Sequence, residues 1–210
     1  MDNYVITIAR GFGSGGKDIG TRLSKELGIP CYERQILTMA SEKSGIDESL
    51  FVETDEKLRN KYIANFLRKL PTPNVYEPHE KEFVSDVNLF NIQAEIIREL
   101  AKTESCIIIG KCANHILKSY DNVISVYIEA PRAACRKTVM ERLDVSEQEA
   151  NQIIYQTDKY RADYYSYYSG GGYWTDPVAY DITLNSDRIG YDNCVELISN
   201  FKDIKMNTIK

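Results

Sequence analysis

Two unbroken apolar runs set the frame of this chain. Cys106-Ile107-Ile108-Ile109 and the stretch from Asn122 to Glu129, with Val123, Ile124, Val126 and Ile128, have the pattern of strands buried on both faces of a parallel sheet. Tyr4 to Ala9 is a third β-rich run, Cys31-Tyr32-Glu33 a short extended one, and Tyr180 to Leu184 a last one. Between them the period changes from two to 3.6. Ile19, Leu23 and Leu27 recur at i, i+4 and i+8, ending at Gly28-Ile29-Pro30. Gln35 to Lys43 reads as a helix closing at Ser44-Gly45. From Asp86 to about Thr103, Leu89, Phe90, Ile92, Ile96, Ile97 and Leu100 form a broad apolar stripe. Pro131 opens a helix carrying Cys135, Val139 and Leu143 on one side. Ser146-Glu147-Gln148-Glu149 is a capping-box start for a helix reaching about Tyr168, and Tyr191 to Phe201 is the final helix.

One region is less regular. Asp47 can cap a helix with Leu50, Leu58, Ile63, Phe66, Leu67 and Leu70 as its apolar members. Pro71-Thr72-Pro73-Asn74 and Glu77-Pro78-His79 then mark a mobile loop of about fifteen residues. Strands alternating with helices predict an α/β fold: a parallel sheet of about five strands with helices on both faces.

The first strand feeds a glycine-rich loop, Gly11-Phe12-Gly13-Ser14-Gly15-Gly16, followed by Lys17 and a helix. Glycine has no Cβ, so successive N–H groups can turn toward one anion. The helix adds unpaired N–H donors and the positive end of its dipole. Gly11-x4-Gly16-Lys17 matches the phosphate-loop pattern, which makes Gly11, Phe12, Gly13, Ser14, Gly15, Gly16, Lys17, Asp18 and Ile19 candidate nucleotide-phosphate contacts. The pattern asks for Ser or Thr after the lysine, to hold Mg²⁺; here Asp18 stands there, and the nearest following hydroxyl is Thr21. Asp18 can hold the metal through water, or simply favour the helix start by its charge. The bland alternative is a glycine-rich turn that binds nothing.

Composition narrows the class. Of 210 residues, 43% are hydrophobic and 27% charged, ordinary for one globular α/β domain with insertions. A net charge of −5 argues against a nucleic-acid surface. No apolar run approaches the roughly 20 residues that cross a bilayer, and the N-terminus lacks a secretory layout, so a cytoplasmic protein is expected. Cys31, Cys106, Cys112, Cys135 and Cys194 are widely spaced without a C-x-x-C pair, which suits reduced, mostly buried thiols. His79 and His115 have no ligand-spaced partner.

Within this acidic chain a basic cluster is conspicuous: Arg132, Arg136, Lys137 and Arg142 on one helix, Lys159 and Arg161 on the next. Phosphoryl transfer asks mainly for positioning and positive charge, which a closing helix pair can bring. Lys111, directly after the third strand, falls on the same sheet edge as the glycine loop. The tract from Tyr164 to Trp174 interleaves aromatics with glycines; it can stack a base, or be aromatic packing under a loop.

These residues together resemble the cytidylate kinase-like proteins of bacteria, a branch of the P-loop nucleoside monophosphate kinases. The resemblance rests on the stretch Ile8 to Gly20, on Leu27-Gly28-Ile29-Pro30-Cys31-Tyr32, on Ile109-Gly110-Lys111-Cys112-Ala113, on Asp158-Lys159-Tyr160-Arg161-Ala162-Asp163-Tyr164-Tyr165, and on the run Trp174 to Asp181. It implies a three-layer P-loop NTPase-like sandwich with a five-stranded parallel sheet, as a single domain over 1–210. Within it, 33–104 would be the acceptor-nucleotide region and 132–172 a helical lid. It implies transfer of the ATP γ-phosphoryl group to CMP or dCMP, with ATP and Mg²⁺. Lys17, Arg132, Arg136 and Arg161 would be catalytic, and Glu33, Arg34, Lys111, Lys159 and Asp163 acceptor-binding. The chain has Gly110-Lys111 where the family has Gly-Arg, which keeps the charge and loses the bidentate fork. Asp158 and Asp163 fall where better-studied cytidylate kinases have acids, one of which reads the base. Two alternatives stay open: a catalytically weak nucleotide-binding regulatory module, or a kinase for another small phosphate acceptor. The expected partners are nucleotides, with no nucleic acid or membrane, and a monomer or homodimer.

Overall fold

A computed structural model describes residues 3–46, 48 and 86–208. The helix expected after Asp47 and the loop of about fifteen residues expected from Pro71 onward lie outside the described residues. Five parallel strands form one sheet: β1 (Val5–Arg10), β2 (Cys31–Tyr32), β3 (Cys106–Ile109), β4 (Val123–Glu129) and β5 (Ile182–Asn185), in the spatial order β2-β3-β1-β4-β5. The strand that leads into the glycine loop is therefore central, with Val5 facing Cys106 on one side and Val123 on the other.

The helices are α1 (Gly16–Leu27), α2 (Gln35–Ser44), α3 (Asp86–Thr103), α4 (Ala113–Ile116), α5 (Arg132–Leu143), α6 (Glu147–Tyr168), α7 (Ser186–Ile189) and α8 (Tyr191–Thr208). Alternation along the strands divides the core. Ile6, Ile8, Ile107, Ile109, Ile124, Val126 and Ile128 pack against Ile19 and Leu23 of α1 and Cys194, Val195 and Ile198 of α8. Val5, Ala9, Cys106, Ile108, Val123 and Tyr127 face the opposite layer, which holds α2, α3 and the buried tyrosines of α6. The continuous apolar runs thus have the two-faced burial that a parallel interior strand requires.

Several boundaries differ from the periodicity reading. The last strand begins at Ile182 rather than Tyr180, because a 3₁₀ turn at Pro177–Ala179 precedes it and the Tyr180 hydroxyl turns back to donate to the Trp174 carbonyl at 2.7 Å. The final helix runs on past Phe201 to Thr208, where Lys205 donates to the Val123 carbonyl and to Asp181, both at 2.7 Å. Pro131 caps α5 from outside rather than opening it as a helical residue. The helix begun at Glu147 ends at Tyr168 as expected, so only the first part of the aromatic tract is helical: Tyr164 and Tyr165 are buried on α6, and the Phe90 ring stacks on Tyr168. Ser146 and Glu149 form the expected capping box. Four of the five cysteines are buried and Cys31 is half-buried, all as free thiols.

Candidate active site

The glycine loop sits where β1 ends against β4. Its path is fixed from beneath: Gly11 N–H donates to the Ile128 carbonyl at 3.0 Å, and the buried Ser14 hydroxyl lies 2.9 Å from the Gly11 carbonyl. Ser186, at the start of α7, donates to the Ser14 carbonyl at 2.6 Å. Gly15 adopts a left-handed φ of 80°, and a Cβ there would overlap the Tyr191 ring. Gly16 has a different reason to be glycine: a Cβ would stand 2.5 Å from Cβ of Arg10, whose stem passes beneath it. Helix α1 starts without a side-chain cap. The amides of Gly16, Lys17 and Asp18 consequently have no intrahelical acceptor and suit an anion.

Helix α6 braces the loop from above. The Asp158 carboxylate accepts from Phe12 N–H at 2.8 Å. One turn on, Arg161 donates to the Arg10 carbonyl at 2.9 Å, pairs with Asp158 at 3.3 Å and lies over the Phe12 ring at 5.4 Å. Burial pushes the Asp158 carboxyl above its ordinary value, although the Phe12 N–H and Arg161 pull the other way. Burial likewise lowers Arg161, against the attraction of Asp158 and Glu33.

Glu33, just past β2, ties the lysine to the sheet edge. One carboxylate oxygen is 2.7 Å from Lys17 Nζ and the other 2.8 Å from Arg10. Burial alone would raise Glu33, but the Lys17 hydrogen bond and the charges of Arg10, Lys17 and Arg161 hold it below the usual range. Arg10 is pushed down to about 10 by burial and by Arg161.

A cavity of about 470 Å³ opens beside these groups. Its charged lining is Arg10, Glu33, Arg34, Lys111 and Arg161; its aromatic lining is Tyr160, Tyr164, Tyr165 and Trp174. Lys111 is delivered there by an unusual turn. Gly110, Lys111 and Cys112 take successive left-handed φ values of 75°, 57° and 57°, and α4 begins at the next residue. Left-handed conformations at non-glycine residues cost of order 1–3 kcal/mol each and gather at functional sites.

The structure therefore brings together Lys17, Glu33, Arg34, Lys111 and Arg161 with the loop Gly11–Ile19. Arg34 also approaches Glu48 at 3.9 Å. It does not bring the other expected residues to the cavity. Arg132 donates to the Asn151 carbonyl at 2.6 Å and Arg136 pairs with Glu147 at 2.8 Å, both reaching α6. Lys159 and Asp163 pair with each other at 2.7 Å on the exposed side of α6. Asp18 is ion-paired to Arg142 at the end of α5.

Other participants carry weak sequence signals. Arg10 precedes the first glycine, but nothing local says that its guanidinium turns back to Glu33. Glu129, at the end of β4, accepts from the Tyr127 hydroxyl at 2.6 Å, and a Cβ on Gly11 would overlap its carboxylate. The contact between Asp158 and Phe12 joins residues far apart in sequence, and only the fold makes it. Strand alternation could have placed Tyr127 on the Trp174 side of the sheet, where the two rings meet edge to face at 5.6 Å.

Comparison with known proteins places this geometry. No curated protein sequence matches the chain. The chain is 26% identical to an uncharacterized protein from Eubacterium ventriosum of known structure, covering 96% of this chain and 99% of that one with a TM-score of 0.70. Shikimate kinase from Bacteroides thetaiotaomicron superposes with a TM-score of 0.52 at 12% identity, over 95% of this chain and 98% of that one, a likeness of fold. The fold is that of the P-loop kinases. The sequence profile of the cytidylate kinase-like family matches residues 5–188, nearly the whole span from the first strand to α7, and the protein belongs to that family.

Proposed function

We propose that the protein is an ATP-dependent phosphotransferase whose acceptor is CMP or dCMP. The observation that carries this reading is the junction at Glu33, where a loop suited to a polyphosphate meets a cation-lined, aromatic-walled cavity. The amides of Gly11 to Ile19 and the Lys17 ammonium would hold the ATP phosphates. Arg10, Arg34, Lys111 and Arg161 would hold the acceptor phosphate, with charge concentrated where the transferred group becomes most anionic. The uncapped start of α1 fits the donor, since its free amides need an anionic partner. Magnesium needs only one or two carboxylates beside substrate phosphates. Asp18, at that helix start, is the carboxylate that would hold it through water, and the ion would supply charge neutralisation between the phosphates. The acceptor region over 33–104 and the lid over 132–172 belong to the same proposal. Arg132 and Arg136 join the site only if α5 and α6 release them from Asn151 and Glu147.

A coupled ADP-release assay over a panel of monophosphates tests this. Turnover with CMP or dCMP is expected, with Lys17→Ala lowering kcat/KM by about 10²–10³-fold. No turnover with any monophosphate at high protein concentration would sink it. A second reading, a nucleotide-binding regulatory module, is favoured by the commitment of Lys17 to Glu33 and of Asp18 to Arg142. That reading expects thermal stabilisation by ATP without ADP release.

A further inference from the structure

We propose that Asn114 and Tyr165 are the acceptor site's base reader, selecting a ring with an amino group beside a bare ring nitrogen, as in cytosine. The inference rests on the reading of the cavity as a nucleotide-acceptor site. Asn114, in the first turn of α4, is 7% exposed and lines the cavity. Its Nδ2 donates to the Tyr165 hydroxyl at 3.2 Å. The Tyr180 phenol stands nearby: burial raises it, and the Asn114 amide pulls the other way. Tyr180 has already given its proton to the Trp174 carbonyl at 2.7 Å. Its oxygen can therefore only accept, and only the amide NH₂ can donate to it.

That constraint fixes which way the amide points. The NH₂ is committed to the Tyr165 oxygen and faces the Tyr180 phenol, and Oδ1 is left as the acceptor of a residue that lines the cavity. Tyr165, whose oxygen accepts from Asn114, keeps a proton to donate. An acceptor and a donor thus stand side by side at a wall of the cavity. Polar groups this buried are costly unless something pairs with them. The phosphate does not need them, because Arg10, Arg34, Lys111 and Arg161 line the same cavity. Tyr160 and Trp174 offer apolar walls for a flat ring.

An amino group donating to Oδ1, with the adjacent ring nitrogen accepting from Tyr165, satisfies both atoms. Cytosine presents that edge. Uracil in the same position sets its O4 carbonyl against Oδ1, two acceptors face to face, and a site built to hydrogen-bond one edge rejects the other strongly.

The test compares CMP, UMP and the ribotide of 2-pyrimidinone, which keeps the ring nitrogen and lacks the amino group. The full chain is assayed as wild type, Asn114→Leu and Tyr165→Phe, each checked by thermal unfolding. Wild type should favour CMP over UMP in kcat/KM by about tenfold or more. Asn114→Leu should lower CMP by about tenfold and change the 2-pyrimidinone ribotide less than about twofold. Tyr165→Phe removes one oxygen and should lower both, since both carry the ring nitrogen; it keeps the test alive if Asn114→Leu fails to fold. Equal use of CMP and UMP by wild type, or variants that lower all three substrates alike, would overturn the base reader while leaving the acceptor site standing. A wild type inert toward all three would remove the acceptor-site reading and the base reader with it.

Discussion

Glu33 holds Lys17 and Arg10 at once, one carboxylate oxygen on each at 2.7 and 2.8 Å. Glu33→Gln keeps the shape and removes the charge that lets two cations and Arg161 sit together. Hydrogen bonds to charged groups are worth about 1.5–3 kcal/mol, and Lys17 is largely exposed, so a loss of about 1–2 kcal/mol in unfolding free energy is expected at pH 7. Glu33 has a folded pKa held below its ordinary 4.5. Its contribution is present above that value and disappears as pH falls through the lower, folded one. Urea melts from pH 7 down to pH 3 should show the gap between wild type and Glu33→Gln closing in acid. A gap that stays constant would refute the assignment.

Asp158 runs the opposite way. Burial raises its pKa above 3.8 despite its bond from Phe12 N–H and its pairing with Arg161. A raised carboxyl favours the folded state most below its unfolded pKa and loses that as pH rises. Asp158→Asn retains an oxygen for Phe12 N–H and should melt higher than wild type at pH 7, with no advantage below about pH 3.8. Arg161, having lost its partner, should hold the loop less well. KM for ATP is expected to rise roughly tenfold, the worth of one charge-assisted hydrogen bond. A more stable but weaker-binding variant is the signature; parallel losses in both would contradict it.

Gly16→Ala places a methyl group 2.5 Å from Cβ of Arg10, an atom fixed to β1 rather than the far end of a flexible side chain. Overpacking of this kind typically costs about 1–3 kcal/mol, and the start of α1 must move to relieve it. Stabilisation by ATP, read by scanning fluorimetry, should vanish, whereas Gly28→Ala, where a Cβ meets nothing within 4 Å but φ is 65°, should cost stability and leave the ATP shift intact.

Asp18 and Arg142 offer a separate test of the magnesium assignment. Their pair is solvent-exposed, so Arg142→Ala should change stability by less than about 1 kcal/mol. Freed of its arginine, Asp18 should hold the metal better. The magnesium concentration for half-maximal activity should fall in Arg142→Ala and rise in Asp18→Ala. Identical magnesium dependence in all three proteins would remove Asp18 from the metal site.

Local chemistry made the frame of this molecule legible. Ile107 and Ile108 are apolar because both faces of β3 are covered, and that alone predicts a central parallel strand. Gly15, Gly16 and Lys17 could be read as a loop running into a helix because that turn is built from consecutive residues. Arg10, Asp158 and Asn114 could not be read in the same way. Their roles arise from partners on other strands and helices: Glu33 for Arg10, Phe12 for Asp158, Tyr165 for Asn114. Arg132 and Arg136 illustrate the converse. Their spacing put them on one helix, but their neighbours Asn151 and Glu147 on α6 set where they reach.

The central position of β1 also bears on how the molecule is made. Val5 must wait for Cys106 and then Val123 before it has a partner on either side. A ribosome therefore releases the whole glycine turn long before anything exists to hold it in shape, and pairings so distant along the chain close slowly. Whatever the glycine turn binds can help the chain fold only after synthesis has passed β4, and a truncated product ending earlier would emerge with the most recognisable segment of the protein and no sheet to shape it.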